Sequence, residues 1–253
     1  MSFTDDDLTR DDFLGGAIKI WQPKKGYRAA TDPVFLAAAV SAKSGDHVLE
    51  LGCGAGTALA CLCQRVAGLS ATGLELQSEY AELARRNSTD NNLGFSVHDG
   101  DLLNMPDALR SLSFDHVFTN PPFYDAGSSS APSDAGRDTA HRIGEAKLED
   151  WISTGLRRLK PRGYFTIIHR AERLPDILCA LQGRAGDIRI LPLASREGRA
   201  AGRVIVRARK GSAAPSTLLA PLILHKGEFH GRDEDTFLPN VRNILRSTQP
   251  IVM

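Results

Sequence analysis

His47-Val-Leu-Glu-Leu-Gly-Cys-Gly-Ala-Gly-Thr57 is the stretch that decides the fold. Val48 to Leu51 is an apolar run of strand type, and Thr57 to Val66 has helical character. Between them Gly52, Gly54 and Gly56 make a G-x-G-x-G turn. Glycine adopts φ > 0 without steric cost and lets a ligand approach the main chain. A strand, a glycine turn and a helix in this order predict a parallel α/β sheet with a nucleotide-like ligand over the strand's carboxyl end.

The spacing separates the candidate ligands. A dinucleotide fingerprint needs G-x-G-x-x-G and sets a pyrophosphate on the helix N-terminus. Here Thr57 takes the third glycine position, and Glu50 stands just before the loop. A carboxylate there repels a pyrophosphate and favours a cation. S-adenosylmethionine, with a sulfonium, an ammonium and no phosphate, fits better than NAD. Ala71 to Leu76 reads as the next strand, with Glu75 near its end, where an acidic residue accepts from both ribose hydroxyls. Phe95 to His98 reads as a third strand and leads into Asp99-Gly-Asp101. Asp101 is placed to accept from the cofactor's adenine amine, with Asp99 as the rival.

Asn120-Pro-Pro-Phe123 follows the apolar run Phe114 to Thr119. Pro121 and Pro122 have no N–H and hold φ near −65°. The side-chain carbonyl of Asn120 and the backbone carbonyl of Pro121 are thereby expected to face outward as two acceptors. Two acceptors followed by an aromatic ring suit a planar group with an exocyclic amine. Asn120, Pro121 and Phe123 are therefore the candidate catalytic set, and Tyr124 shares the stacking role of Phe123.

Taken in order, Gly52-Cys-Gly-Ala-Gly56, Glu75, Asp99-Gly-Asp101 and Asn120-Pro-Pro-Phe123 resemble the class I S-adenosylmethionine-dependent amino-methyltransferases. Gln22-Pro-Lys-Lys-Gly-Tyr-Arg28, Thr31-Asp-Pro-Val-Phe-Leu36 and Arg203-Val-Ile-Val-Arg-Ala-Arg-Lys-Gly211 narrow this to a resemblance to the bacterial tRNA(Val) adenosine-37 N6-methyltransferase family. The likeness runs from about Phe13 to Arg246. It implies a Rossmann-like fold with a seven-stranded, mostly parallel sheet, an antiparallel last strand and a small N-terminal extension. It also implies that Tyr27 and Arg28 lie over the cofactor, and that Asn120 contacts it. The expected substrate is an unpaired adenine in tRNA. Relatives with similar motifs methylate an rRNA guanine or a release-factor glutamine, and an inactive cofactor- or RNA-binding module is the non-enzymatic alternative.

Composition bounds the remaining choices. The 253 residues carry a formal net charge of +1, so a globally basic nucleic-acid binder is excluded. The charge is uneven, however. The stretch from Lys160 to Lys210 is rich in arginine, and Arg207 and Arg209 alternate with Val206 and Ala208, so a strand puts both on one side. These two are the candidate phosphate contacts on RNA. No run of about 18 apolar residues predicts a membrane span. The acidic start, Met-Ser-Phe-Thr-Asp-Asp-Asp, lacks the plan of a signal peptide, and the expected location is the cytoplasm. Cys53, Cys61, Cys63 and Cys179 have neither zinc nor disulfide spacing, so no metal is expected.

The expected organisation is an N-terminal unit, residues 1–42, whose hairpin (Phe13 to Gln22) and helix cover the cofactor site, then a methyltransferase domain over 43–253. Strands at Asp187 to Leu193 and Arg203 to Lys210 are joined too closely for a helical crossover and predict a hairpin. Residues 125–146 lack periodicity and follow the Asn-Pro-Pro-Phe motif, the usual place and length of a substrate gate. His141 lies within it and is not counted as catalytic.

Overall fold

Leu8–Phe13 (β1) and Ile18–Pro23 (β2) pair antiparallel, Phe13 opposite Ile18. Gly15 and Gly16, at φ 67° and 90°, turn the chain between them. Asp32–Ala39 (α1) begins with Pro33 in its first turn, where the missing N–H costs no hydrogen bond. Strands and helices then alternate: His47–Leu51 (β3), Thr57–Arg65 (α2), Ser70–Glu75 (β4), Ser78–Asp90 (α3), Ser96–Asp99 (β5), Asp107–Arg110 (α4), Phe114–Thr119 (β6), Leu148–Arg158 (α5), Leu159–Arg170 (β7) and Leu174–Leu181 (α6). Ala185–Ala194 (β8), Ala201–Lys210 (β9), Thr217–Leu218 (β10), Leu222–Ile223 (β11) and Pro239–Arg246 (α7) complete the order. The computed structural model describes residues 3–123, 146–227 and 236–253.

The main sheet runs β10-β8-β9-β7-β6-β3-β4-β5, with β11 also on β8. Its centre is parallel, and β9 lies antiparallel between β7 and β8. The expected seven strands, β3 to β9 with β9 antiparallel, are present, and among the described residues two short strands are added to them. The two additions, β10 and β11, are two residues each and follow the outer edge of β8. Strands so short carry no periodicity to read. The β8–β9 hairpin forms as expected.

Both faces of the sheet are covered. Val48, Phe118, Ile168 and Ile205 pack with Phe35 and Leu36 of α1 and Leu59 and Leu62 of α2. Leu49, Val117, Ile167 and Val206 point the other way, onto Trp151 and Ile152 of α5 and Ile177 and Leu181 of α6. Neighbouring strand residues thus belong to opposite cores, as the two-residue period requires. Helix α1 shares the core of the main sheet. Only the β1–β2 hairpin forms a sheet of its own. Among the described residues no helix is long and apolar enough to cross a membrane.

The hairpin is held by two side chains that act as a third strand. Asn87 Oδ1 accepts from Trp21 N at 2.8 Å, and its Nδ2 donates to Trp21 O at 3.0 Å. One helical turn on, Asn91 repeats the pattern with Lys19, accepting at 2.8 Å and donating at 2.9 Å. Positions i and i+4 of α3 thereby match residues i and i+2 of β2. Asn87 Nδ2 also donates to Ala55 O at 2.9 Å, which joins the hairpin to the glycine loop. Asn87 is fully buried. Its replacement by alanine strands these buried main-chain groups, and we expect a loss of about 2–4 kcal/mol in urea denaturation. An unchanged midpoint would mean that apolar contacts alone seat the hairpin.

Candidate active site

The order of the central strands reverses between β3 and β6, so their carboxyl ends open a crevice. Leu51 lies opposite Thr119, and Thr119 Oγ1 donates to Leu51 O at 2.9 Å. Gly52 and Asn120, the next residue on each strand, are thereby neighbours. Gly52, Gly54 and Gly56 have φ of 65°, 54° and 78°. A Cβ on Gly52 would also lie 2.6 Å from Cη2 of Trp151, so the loop tolerates no side chain there. Gly52 N and Cys53 N donate to Leu74 O at 2.8 and 3.1 Å, which folds the loop over the end of β4.

Two acidic side chains are buried under this loop. Glu50 is 3% and Glu75 6% exposed. Glu50 Oε2 accepts from Leu59 N at 3.1 Å, satisfying an orphan donor in the first turn of α2. Glu75 accepts from Gly54 N at 2.8 Å and Gln77 N at 2.9 Å. Burial raises both carboxyls above the ordinary range, and the Glu75 charge adds to the effect on Glu50. Their described partners are backbone N–H groups, which leaves the pair short of a positive charge. A cationic ligand supplies it, whereas a pyrophosphate would meet repulsion. The donor set fits S-adenosylmethionine.

Beyond Glu75, its register partner Asp99 pairs with Arg85. Asp101 Oδ1 accepts from Leu103 N at 2.8 Å. The Asp99 carboxylate is paired with an arginine, whereas the partner of the Asp101 carboxylate among the described residues is a turn N–H.

Tyr27 lies over the loop. Its Cε1 would sit 3.7 Å from a Cβ on Gly54. Tyr80 OH accepts from Tyr27 N at 3.1 Å, and Gly26, at φ 102°, lets the chain pass that hydroxyl. Tyr27 is 54% exposed as a residue, yet desolvation at its hydroxyl, with the Glu50 and Asp32 carboxylates nearby, moves the phenol upward, so it stays protonated. Arg28 departs from the expectation of a cofactor contact. Its guanidinium is bound into the hairpin by Asp11 at 2.6 Å and by Thr9 Oγ1 and Pro23 O at 2.8 Å.

Asn120 Nδ2 donates to Tyr27 OH at 3.5 Å. Its Oδ1 is buried and has no hydrogen-bond partner among the described residues. A buried carbonyl without a donor costs free energy unless a ligand completes it. Pro121 is buried, Pro122 exposed and Phe123 half-buried. The Phe123 ring carries the Arg203 guanidinium at 4.5 Å and that of Arg170 at 5.7 Å. Arg203 Nε in turn donates to Asp32 Oδ2 at 2.9 Å.

The arginines of β9 require a correction. Arg207 and Arg209 do share one side, 5.3 and 5.4 Å from the Tyr164 ring. Arg207, however, is only 7% exposed and donates to Met253 O at 2.5 Å, so its charge is spent inside the fold. Arg209 Nε donates to Arg162 O at 3.1 Å. In the register Arg209 is level with Tyr164 and His116, towards the amino ends of β6 and β7. Arg203 is level with Arg170, at the site end. Four residues of strand, about 13 Å, separate Arg203 from Arg207. Arg207 and Arg209 thus lie away from the carboxyl-end crevice, and Arg203 of the same strand lies level with it. Tyr80, His169 and Arg170 are neighbours of the site outside the quoted motifs, and Asp32 and Arg203 lie within quoted stretches without having been singled out as site residues. Arg203 was within reach by counting residues down the β7–β9 pairing; the others become neighbours only by packing. Tyr124, His141 and the stretch 124–145 lie outside the described residues. Among the described residues no group of three or more His, Cys, Asp or Glu is arranged to hold a metal.

A switch-point crevice with a glycine loop, buried acids and no phosphate seat defines a class I S-adenosylmethionine-dependent methyltransferase. The chain belongs to the Methyltransferase domain family, whose model matches residues 42–196, more than half of its length. It is 28% identical over 179 residues to a tRNA1(Val) (adenine(37)-N6)-methyltransferase of Porphyromonas gingivalis, covering 65% of this chain and 69% of that protein. It is 27% identical over 214 residues to the protein of the same name from Dickeya chrysanthemi, with 82% and 81% covered. A ribosomal RNA small subunit methyltransferase C from Actinobacillus pleuropneumoniae is 32% identical over 132 residues, 52% of this chain and 35% of that one. Among solved structures, a "predicted O-methyltransferase" from Agrobacterium tumefaciens superposes with a TM-score of 0.68 at 27% identity, covering 87% and 98%. An S-adenosylmethionine-dependent O-methyltransferase from Thermotoga maritima superposes with 0.54 at 19% identity, covering 74% and 67%, a likeness of fold.

Glu75→Ala is expected to weaken S-adenosylmethionine binding by about 10- to 100-fold in calorimetry, since hydrogen bonds to a charged group contribute about 1.5–3 kcal/mol. Glu75→Gln should fall between, because the oxygen that meets Gly54 N is retained. An unchanged dissociation constant in both would reduce Glu75 to a loop support.

Proposed function

We propose that the protein transfers a methyl group to the exocyclic N6 amine of an unpaired adenine in tRNA, the anticodon-loop adenosine 37 of tRNA(Val) being the favoured target. The observation that carries this reading is the Oδ1 of Asn120 at the switch point, buried and without a hydrogen-bond partner among the described residues. The relatives' names support the substrate class. The rRNA guanine-N2 reading is kept as second, because the Actinobacillus relative is the more identical over its shorter match.

In this reading Glu50, Glu75, Asp101 and the loop of Gly52, Gly54 and Gly56 hold the cofactor, with Tyr27 of the 1–42 unit as its cover. The bound cofactor supplies an electrophilic methyl group. Asn120 Oδ1 and the Pro121 carbonyl accept the two hydrogens of the target amine. Their dipoles favour a pyramidal, electron-rich nitrogen and stabilise the positive charge that develops on it. No strong base is required, since the nitrogen becomes acidic once methylated. Phe123 offers a π-face to the base, worth about 1–3 kcal/mol by stacking. A base that must reach this crevice comes most readily from an unpaired loop. Arg170 and Arg203, at the Phe123 ring, and Arg173, just after β7 and ion-paired with Asp176 at 2.6 Å, are the proposed phosphate contacts in place of the buried Arg207 and of Arg209.

Asn120→Ala is expected to reduce single-turnover methylation at saturating cofactor by about 100- to 1000-fold with melting temperature kept, a loss larger than any change in cofactor affinity. Asn120→Asp retains an acceptor and should keep partial activity. Near-normal rates in Asn120→Ala would make the segment a plain turn. Nucleoside mass spectrometry of bulk tRNA and rRNA, after incubation with labelled cofactor, names the product. N6-methyladenosine in tRNA supports the proposal; N2-methylguanosine in rRNA selects the second reading.

RNA affinity is expected to fall steeply with salt and to drop in Arg173→Glu, while Arg207→Glu should lower the melting temperature first, because Arg207 is buried. A flat salt dependence would exclude phosphate contacts as the main attraction and favour a protein glutamine.

A further inference from the structure

The end of the sheet opposite the crevice carries a second concentration of charge. Arg157 and Arg158 close α5 and lead directly into Leu159 at the start of β7. Arg162 lies in the irregular stretch of β7 between Leu159 and Tyr164. Lys210 ends β9 opposite Ala185, which brings Arg184 beside it. Leu159 is level with Phe114, six strand steps or about 20 Å before Asn120.

Hydrogen bonds knit this edge together, and all their acceptors are neutral. Lys210 Nζ donates to Leu159 O at 2.7 Å, and Arg158 donates to Arg110 O. Arg157 reaches Thr154 Oγ1 at 2.9 Å, and Arg184 reaches Ser153 Oγ at 2.8 Å. Among the described residues Arg157, Arg158, Arg162, Arg184 and Lys210 have no carboxylate partner. The acids of this edge are engaged elsewhere, Asp107 by Arg110, Asp115 by Lys160 and Asp187 by Arg189. The cations feel one another. Burial, followed by Arg157 and Arg110, lowers the Arg158 guanidinium, and burial, followed by Arg158, lowers Lys210. Helices α5 and α6 end here, each with about half a unit of negative charge, which offsets about one of the five cations.

Arg162 adds a backbone signal. Its φ is 66°, in the left-handed region that strains any side chain. The residue is exposed, and no side-chain hydrogen bond or ion pair within the described fold offsets that strain.

Such an edge calls for an anion, and its form selects which. A single-stranded nucleic acid is gripped by aromatic platforms as well as by charge. The nearest ring, Tyr164, is already stacked on His116 and engaged by Arg207 and Arg209. Duplex RNA is bound through its phosphates and shape. An unpaired target base is carried on a stem, and about 20 Å is less than one turn of a double helix, about 34 Å in B-form DNA. Helix α6 leads from one end of the sheet to the other, with Arg173 before it and Arg184 after it.

We propose that the edge formed by Arg157, Arg158, Arg162, Arg184 and Lys210 is a second phosphate-binding surface, which docks the double-helical stem of the RNA whose unpaired base enters the crevice. The proposal rests on the RNA reading of the crevice.

A triple variant of the full chain, Arg157→Glu with Arg162→Glu and Arg184→Glu, changes only exposed side chains. Three probes are compared: a tRNA(Val) transcript, a plain RNA duplex of about 16 base pairs, and a single strand of about seven nucleotides carrying the loop sequence. The variant should bind the duplex more weakly, with a slope of log affinity against log salt shallower by about 3. Raising salt from about 50 to about 200 mM should therefore reduce wild-type affinity about 40-fold more than that of the variant. Affinity for the single strand and for S-adenosylmethionine should stay within about twofold, as for distant independent sites. With tRNA, KM should rise while turnover at saturation stays within about twofold. Arg162→Gly alone should hold or raise the melting temperature, since glycine takes this φ without strain, and should lower the slope by about 1. Equal duplex affinities of wild type and triple variant, an equal loss on the single strand, or an unchanged slope in Arg162→Gly overturns the proposal. Tighter binding of the wild type to phosphatidylserine vesicles than to the duplex overturns it in favour of a lipid surface. The duplex probe needs no turnover, so the two readings fail separately. A wild type that docks duplex through this edge yet methylates no tRNA sinks the reading of the crevice. One that methylates tRNA yet ignores the duplex sinks the edge alone.

Discussion

The parallel pairing of β3 with β6 is the constraint on which the site depends. Leu51 faces Thr119, and the threonine hydroxyl closes on the leucine carbonyl at the last step of the pair. Everything that follows either strand must leave in the same direction into the same crevice. The glycine loop and the Asn-Pro-Pro-Phe segment are 68 residues apart by this contact and adjacent in space. A shift of one residue in that register would turn Asn120 away from the crevice and exchange the two cores, because side chains alternate across the sheet.

Around this seam the charges divide. Glu50 and Glu75 lie beneath the loop on the β3–β4 side, without a basic partner among the described residues. Arg170 and Arg203 gather at Phe123 on the β7–β9 side. Asn120, neutral and linked to Tyr27, stands between them. In the proposed reading the acidic side receives a cationic cofactor and the basic side a phosphate-bearing substrate. The low net charge of the chain conceals this separation. A small total charge is compatible with strong local fields of both signs.

The leading hairpin shows how far such a site reaches into the fold. Asn87 joins Trp21 of the hairpin to Ala55 of the glycine loop through one amide. Tyr80, on the same helix, pins the backbone of Tyr27. Helix α3 therefore positions the hairpin and Tyr27 together. Strand β1 was not legible in advance: Leu-Thr-Arg-Asp-Asp-Phe has no apolar alternation, and one side of it stays in water. The edge formed by Asn87 and Asn91 is equally silent in sequence, since asparagines on a helix ordinarily face solvent or cap an end.

What the sequence determined by itself is what local chemistry can carry. Glycines at 52, 54 and 56 demand left-handed backbone, and apolar runs of five or six residues demand a buried strand. The absence of a sixth-position glycine, with Glu50 before the loop, excludes a pyrophosphate. Those features suffice for the fold class and for the cofactor. Distances between segments were beyond its reach. Whether Asp99 or Asp101 is available depended on Arg85, fourteen residues away on a helix. Which arginine of β9 meets the site depended on the β7–β9 register, and the burial of Arg207 on the return of the chain to Met253. Glycine and proline act through their own backbone angles and can be read one at a time. A charge acts through its neighbours, and neighbours are assigned only when the chain has folded.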